Sequence, residues 1–239
     1  MSGDWEERFR VPVATLPHWS DARPDRCTYV SDASGVLQAY AWNRADGTHR
    51  RASAEPVGVV LAEVSYDGSE IVWFSDATGD ESGRWIAEPF GGGERRELLP
   101  DAPVGWPEGI SLGRAAVAAV LADRDAFSVV VRDAAGTRVL RTDLDAMGIG
   151  AGDLGFEGTV LSGLSPDAEV VCVTSAQDGD MLHPMLRVLR VADGREIATL
   201  ADGPGFGVSP VAWSPLDGDR RLLIAHERDD LKRPALWEP

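Results

Sequence analysis

Val64-Ser65-Tyr66-Asp67-Gly68-Ser69-Glu70-Ile71-Val72-Trp73-Phe74-Ser75-Asp76-Ala77-Thr78-Gly79 decides the fold. The apolar run Ile71 to Phe74 lies between two turn signals, as expected of a strand buried on both faces. Gly supplies positive φ, and Asp and Ser bond the local backbone, so each flank reverses the chain. The phrase recurs: Trp19-Ser20-Asp21 precedes Cys27-Thr28-Tyr29-Val30-Ser31-Asp32, and Leu164-Ser165-Pro166-Asp167 precedes Val170-Val171-Cys172-Val173-Thr174-Ser175. Trp213-Ser214-Pro215 precedes Leu222-Leu223-Ile224-Ala225, and a degraded copy at Leu112-Gly113-Arg114 precedes Ala116 to Val120. Ser20, Ser65, Gly113, Ser165 and Ser214 stand 45, 48, 52 and 49 residues apart. A β-rich unit repeating at this period predicts an all-β chain, a β-propeller with four-stranded blades.

Within a unit, the third strand reads Arg84-Trp85-Ile86-Ala87, Leu37 to Trp42, or Leu186 to Val191, each ending in a Gly turn. The polar Glu94-Arg95-Arg96-Glu97-Leu98 then predicts an outer strand whose arginines are solvated and contribute little. About five units are visible, and the fifth ends at Leu236-Trp237-Glu238-Pro239, aligned with a third strand and lacking a fourth. Residues 1–17, with Glu6, Glu7 and Arg8, form an amino-terminal segment, and 18–239 form the propeller, expected to be truncated at its carboxyl end. Arg10-Val11-Pro12-Val13-Ala14 is an alternative source of the absent strand. The Gly-rich stretch Asp143 to Glu157 reads as a loop between units.

The formal net charge of −16 disfavours nucleic acid and anionic membrane surfaces, both of which need clustered cations. Lys232 is the single lysine. The longest apolar run, Ala115 to Ala122, is too short to span a bilayer, and no signal peptide is recognisable. A soluble cytoplasmic protein is expected. Cys27 and Cys172 fall in equivalent inner strands of different units, so they read as buried free thiols rather than a disulfide. His18, His49, His183 and His226 have no metal-ligand spacing, so neither metal nor cofactor is expected.

Gly109-Ile110-Ser111-Leu112-Gly113 matches the G-x-S-x-G of a nucleophile elbow, with Asp178, His183 and Asp229 downstream. An elbow requires a buried strand before the Ser and a helix after it. Pro103 and Pro107 exclude a central strand there, and the repeat places the start of a unit at this point. Ser111 is therefore read as structural, and no catalytic residue is assigned. The carboxylates Asp76, Asp80 and Glu81, and the pair Asp178 and Asp180, lack the Gly and Glu positions of a calcium loop and are read as turn chemistry.

Arg26 to Gly35, Trp73 to Glu81, Leu186 to Arg190 and Pro234 to Pro239, taken in order, resemble the amino-terminal propeller of bacterial prolyl oligopeptidase-family serine peptidases, the acylaminoacyl-peptidase-like branch. The resemblance runs from about Arg8 to Pro239, and single phrases such as Ser-Pro-Asp also occur in TolB-like propellers. It implies a seven-bladed cap over an α/β-hydrolase domain, gating oligopeptide access to a serine peptidase site. No part of that hydrolase domain is present, so no catalytic position transfers. A stand-alone scaffold for a protein or peptide partner is the alternative.

Overall fold

The computed structural model describes residues 10–144, 146–148, 163–176, 182–216, 218–229 and 231–239. Among them every paired strand is antiparallel, and there is no α-helix. The chain divides into two compact units, Met1–Asp80 with Trp85–Arg96, and Glu81–Arg84 with Glu97–Pro239. Strands follow chain order across each sheet. The first sheet holds β1 (His18–Trp19), β2 (Arg26–Ser31), β3 (Gln38–Asn43) and β4 (Thr48–Arg51), and the second β5 (Ala62–Val64), β6 (Glu70–Ser75), β7 (Arg84–Pro89) and β8 (Arg96–Glu97). The third holds β9 (Trp106–Leu112), β10 (Val117–Ala122), β11 (Phe127–Asp133) and β12 (Gly136–Leu144), and the fourth β13 (Ala146–Gly148), β14 (Val170–Ser175), β15 (Met185–Arg190) and β16 (Glu196–Leu200). The fifth has three strands, β17 (Val208–Trp213), β18 (Leu222–Arg228) and β19 (Leu231–Trp237).

The repeated phrase has a direct structural cause. Ser65 Oγ donates to Asp67 Oδ1 at 2.8 Å and accepts from the Glu70 amide at 2.9 Å, while Asp67 accepts from the Ser69 amide at 2.9 Å. Ser165 and Asp167 repeat this network before β14. These bonds hold the Asp67 carboxyl below its usual range, those from Ser69 contributing most. Gly68 completes the turn at φ +70°, and a Cβ there would lie 2.9 Å from Arg23 Cβ, so a side chain is excluded by both conformation and space.

Strand alternation then sends alternate residues to opposite neighbours. In the first unit Val30, Ala39 and Ala41 of the first sheet share a core with Ile71 and Trp73 of the second. In the second unit Val171, Val173 and Leu189 of the fourth sheet pack with Ala118, Val120, Val129 and Val131 of the third. The opposite face of the fourth sheet, Val170, Cys172, Leu186 and Val188, packs with Val208, Trp213, Leu222 and Ile224 of the fifth. A strand sandwiched in this way must be apolar throughout, which is why Val170 to Val173 reads as a continuous run. Cys27 and Cys172 lie on second strands as buried free thiols, and burial pushes the Cys172 thiol up to about 12.

Three sequence expectations are corrected. Arg95 is exposed, as an outer-strand residue should be, but it is not idle: its guanidinium donates to the buried Glu88 at 3.0 Å and to the Ala52 carbonyl at 2.7 Å, and sits 5.2 Å from the centre of the Trp73 ring. Glu88 is buried on β7 and meets two cations, Arg50 being the other, at 2.5 Å. Residues 143–144 and 146–148 are not loop, since β12 runs through Leu144 and β13 covers Ala146–Gly148, while 145 and 149–157 lie outside the described residues. The segment Arg10 to Ala14 is engaged by the first sheet instead, with Ala14 bridging Ser31 and the Val13 and Thr15 amides bonding Asp32 Oδ1 and the Val30 carbonyl.

Truncating Trp73 or Val171 to Ala, each 0 % exposed, should cost roughly 2–5 kcal/mol in denaturant unfolding. Arg95→Ala should cost about 1–3 kcal/mol by leaving Glu88 under-satisfied. Arg96→Ala, which removes an exposed pair with Glu70, should cost about 0.5 kcal/mol or less. Equal losses at Arg95 and Arg96 would contradict the Glu88 assignment.

Candidate functional site

Ser111 lies within β9, opposite Ala118, and not on a strand-to-helix turn. Its Oγ accepts the Leu164 amide at 2.9 Å, and no His, Asp or Glu bonds it among the described residues. Pro107 is tolerated because β9 is an edge strand of its sheet. Asp229 accepts from Arg233 at 3.1 Å, and His183 precedes β15. Asp178 and Asp180 lie outside the described residues. Asp76 accepts the Thr78 and Gly79 amides, and Asp80 accepts the Thr78 hydroxyl, which is turn chemistry. Among the described residues no three His, Cys, Asp or Glu side chains could hold a metal ion.

The polar side chains that the fold does bring together are of a different kind. His18 on β1 and Glu63 on β5 join the first strands of the first two sheets, with Nδ1 2.6 Å from Oε1. Glu63 is nearly buried, and its hydrogen bond raises the His18 pKa above 6.5 against the opposing effect of burial. Nearby in the same unit, Glu55 accepts from Trp73 Nε1 at 3.1 Å and Ser75 Oγ at 2.8 Å, and its backbone carbonyl accepts Gln38 Nε2 at 2.7 Å. This network ties a loop after β4 to both adjoining sheets.

In the second unit Asp202, in the turn after β16, accepts both guanidinium nitrogens of Arg228, and His226 Nδ1 stands 3.4 Å away. The Arg228 bonds hold the Asp202 carboxyl below its usual range. Arg228 also sits 5.3 Å from the centre of the partly exposed Phe206 ring. Glu108 on β9 is half-buried, and burial pushes its carboxyl up. These groups anchor loops and first strands, and among the described residues no hydrogen bond joins a nucleophile to a base. Sequence reading missed the His18–Glu63 and Asp202–Arg228 pairs because the partners lie tens of residues apart. No local spacing records them.

On one face of the first sheet an aromatic panel is assembled. Tyr29 stands opposite Tyr40, and Trp42 opposite His49, with stacked centroids 5.2 and 5.3 Å apart. Tyr29 Oη and His49 Nδ1 are 2.9 Å apart, which joins the two stacks.

No protein-family model matches the chain, and no curated protein matches it either. Solved structures do. The chain is similar to a putative TolB from Agrobacterium tumefaciens at 16 % identity and TM-score 0.56, covering 92 % of this chain and 72 % of that one. It is similar to a chain in a nidogen/laminin complex at 14 % identity and TM-score 0.54, covering 95 % and 80 %. A structure from work on two prolyl endopeptidases matches at 13 % identity and TM-score 0.56, covering 94 % of this chain but 35 % of that one. At these identities the likeness establishes the fold, an all-β propeller-type arrangement with TolB-like blades.

The His18–Glu63 pair makes stability depend on pH. A His whose pKa is raised on folding stabilises fully below its unfolded value and loses that contribution as pH rises through the folded value. The melting-temperature gap between wild type and His18→Gln should therefore be wider near about pH 5.5 than near about pH 9. An equal gap at both would exclude the ion pair.

Proposed function

We propose that this chain is a non-catalytic propeller-type module that acts through the surfaces of its sheets and loops. The placement of Ser111 carries this reading: the one G-x-S-x-G lies along a paired strand, with its hydroxyl engaged by the Leu164 amide. Loops on a rigid sheet frame are the usual place for binding. In the finer form of the proposal, the module caps an α/β-hydrolase domain and admits oligopeptides while excluding folded proteins, so selection is steric and water is kept from the chemistry. The likeness to a prolyl endopeptidase structure, over about a third of that chain, supports this form.

The second form is a scaffold that holds a protein partner. The likeness to a chain from a nidogen/laminin complex, a protein–protein assembly, favours it. Fold alone does not choose between the two forms. An in-frame hydrolase segment with a G-x-S-x-G after a buried strand, read from the gene beyond Pro239, supports the cap, and a stop codon there supports the scaffold.

In either form the 239-residue chain hydrolyses neither peptidyl nor ester substrates and is not labelled by a fluorophosphonate probe. Labelling or turnover that disappears in Ser111→Ala would overturn the proposal.

A further inference from the structure

Each four-stranded sheet is an antiparallel meander, so the turn between its second and third strands lies at the same end as its entry and its exit. In the first unit that end carries residues 10–17, 32–37, 52–61 and 76–80, and the opposite end carries the turns 20–25, 44–47, 65–69 and 90–95. The two ends differ in what they show to solvent. Val11, Val13, Leu16, Val36, Val57 and Val60 are exposed at the first, and no large hydrophobic is exposed in those turns of the second. The second unit, taken by itself, has the same bias among its described residues: connections of the first kind expose Val104, Leu182 and Phe206, and the opposite turns expose Leu216.

In the first unit part of this apolar material forms one strip. A Cβ on Gly58 would lie 3.5 Å from Val36 Cγ1, and one on Gly79 would lie 3.5 Å from Val57 Cγ1, so each valine rests against backbone that bears no side chain. Val60 extends the strip beyond the buried Val59, and Val36, Val57 and Val60 are 43 %, 47 % and 62 % exposed. The floor beneath them is fixed. The Val59 amide bonds the Leu37 carbonyl at 2.8 Å, and Glu55 is held by Trp73, Ser75 and Gln38. A surface already ordered in this way loses little freedom when it is covered.

Charge decides what the strip accepts. Among their described residues the connections around it hold Asp32, Glu55, Asp76 and Asp80 against Arg10. The opposite turns mix the two signs, with Arg23 paired to Asp25, and Arg26 and Arg44 reaching the Gly68 and Pro24 carbonyls. An acidic rim repels phosphate backbones and anionic lipid, and a second copy of this chain brings its own net charge of −16. Residues 1–9 carry Asp4, Glu6 and Glu7 against Arg8, so they lack the complementary sign too. A cationic polypeptide fits, with aliphatic side chains on the valines and ammonium or guanidinium groups at the carboxylates.

We propose that the Val36/Val57/Val60 strip docks a segment of a partner protein in which Lys or Arg alternates with aliphatic residues. The inference deepens the scaffold form of the proposed function and rests on it. Asp32, Asp76 and Asp80 supply the field that draws the segment in, and the valines supply the contact that separates an apolar cationic segment from a polar one.

Fluorescence polarisation on the whole 239-residue chain tests it, with labelled peptides of equal length that alternate Lys with Val, Lys with Ser, or Glu with Val. The Lys/Val peptide should bind, and the other two should bind at least about tenfold more weakly, since each lacks one of the two complementary features. Val57→Lys should weaken Lys/Val binding by about tenfold or more, and Glu94→Gln, exposed at the opposite end and making the same change in net charge, by less than about twofold. Val60→Lys replaces Val57→Lys if melting curves show that variant to be unfolded. No binding of the Lys/Val peptide, equal binding of the Lys/Ser peptide, or equal effects of Val57→Lys and Glu94→Gln would overturn the assignment of this surface. None of these outcomes touches the scaffold form itself, which stands or falls on the reading frame beyond Pro239.

Discussion

Burial of both faces of a second strand, as in the second and fourth sheets, is the constraint on which the rest depends. Ile71, Val72 and Trp73, and Val171, Cys172 and Val173, are at most 1 % exposed. A strand with no solvent side cannot carry alternating polarity, so its sequence collapses into a short apolar run. That run must then be bracketed by turns sharp enough to return the chain within a few residues. The Ser65/Asp67 and Ser165/Asp167 networks do this with side-chain oxygens bonding nearby amides. The repeat is therefore a consequence of packing, and its period is the length of chain needed to build one sheet and reach the next.

Charge is handled inside this apolar frame by pairing across sheets. Arg50, on the fourth strand of the first sheet, reaches Glu88 and the Pro89 and Phe90 carbonyls of the second. Arg138, on the fourth strand of the third sheet, reaches the Val191 carbonyl after β15 in the same way. In both cases an outer-strand guanidinium satisfies acceptors near the turn between third and fourth strands of the following sheet. A guanidinium suits this work because it carries several donors in one rigid plane. Each contact is directional, which the burial of Val and Leu is not.

The period, the strand order and the two-sided apolar strands were legible because each is written within a few adjacent residues. Arg95 was misread because its role depends on Glu88 and Trp73, and nothing in Glu94-Arg95-Arg96-Glu97 distinguishes Arg95 from Arg96. Only Arg95 meets a buried carboxylate, whereas Arg96 meets the more exposed Glu70. Residues 143–144 and 146–148 were misread because they run into the glycines at 148, 150, 152 and 155, whose spacing imitates a loop. Ser111 was legible for the opposite reason, since an elbow makes local demands that Pro107 and the repeat phase already refuse. The residues of the aromatic panel were visible in the sequence only as members of two strands. Their convergence follows from register, which sets Tyr29 against Tyr40 and Trp42 against His49.

The composition of the panel shows what a repeat reveals when one unit departs from the others. At positions where the second and fourth sheets place Ile71, Val171 and Val173, a chain with no use for solvent contact would again place aliphatic residues. The first sheet has instead Tyr29, whose hydroxyl bonds His49, and Tyr40 and Trp42 with their own polar tips. Rings of this kind stay soluble through their polar ends and still present broad apolar faces, which is why Tyr and Trp concentrate at surfaces that are wet at one time and covered at another. A permanently buried face would gain nothing from those hydroxyl and indole groups, and a permanently solvated one would gain nothing from the stacked area. On the first sheet Tyr29, Tyr40 and Trp42 put both chemistries on one face.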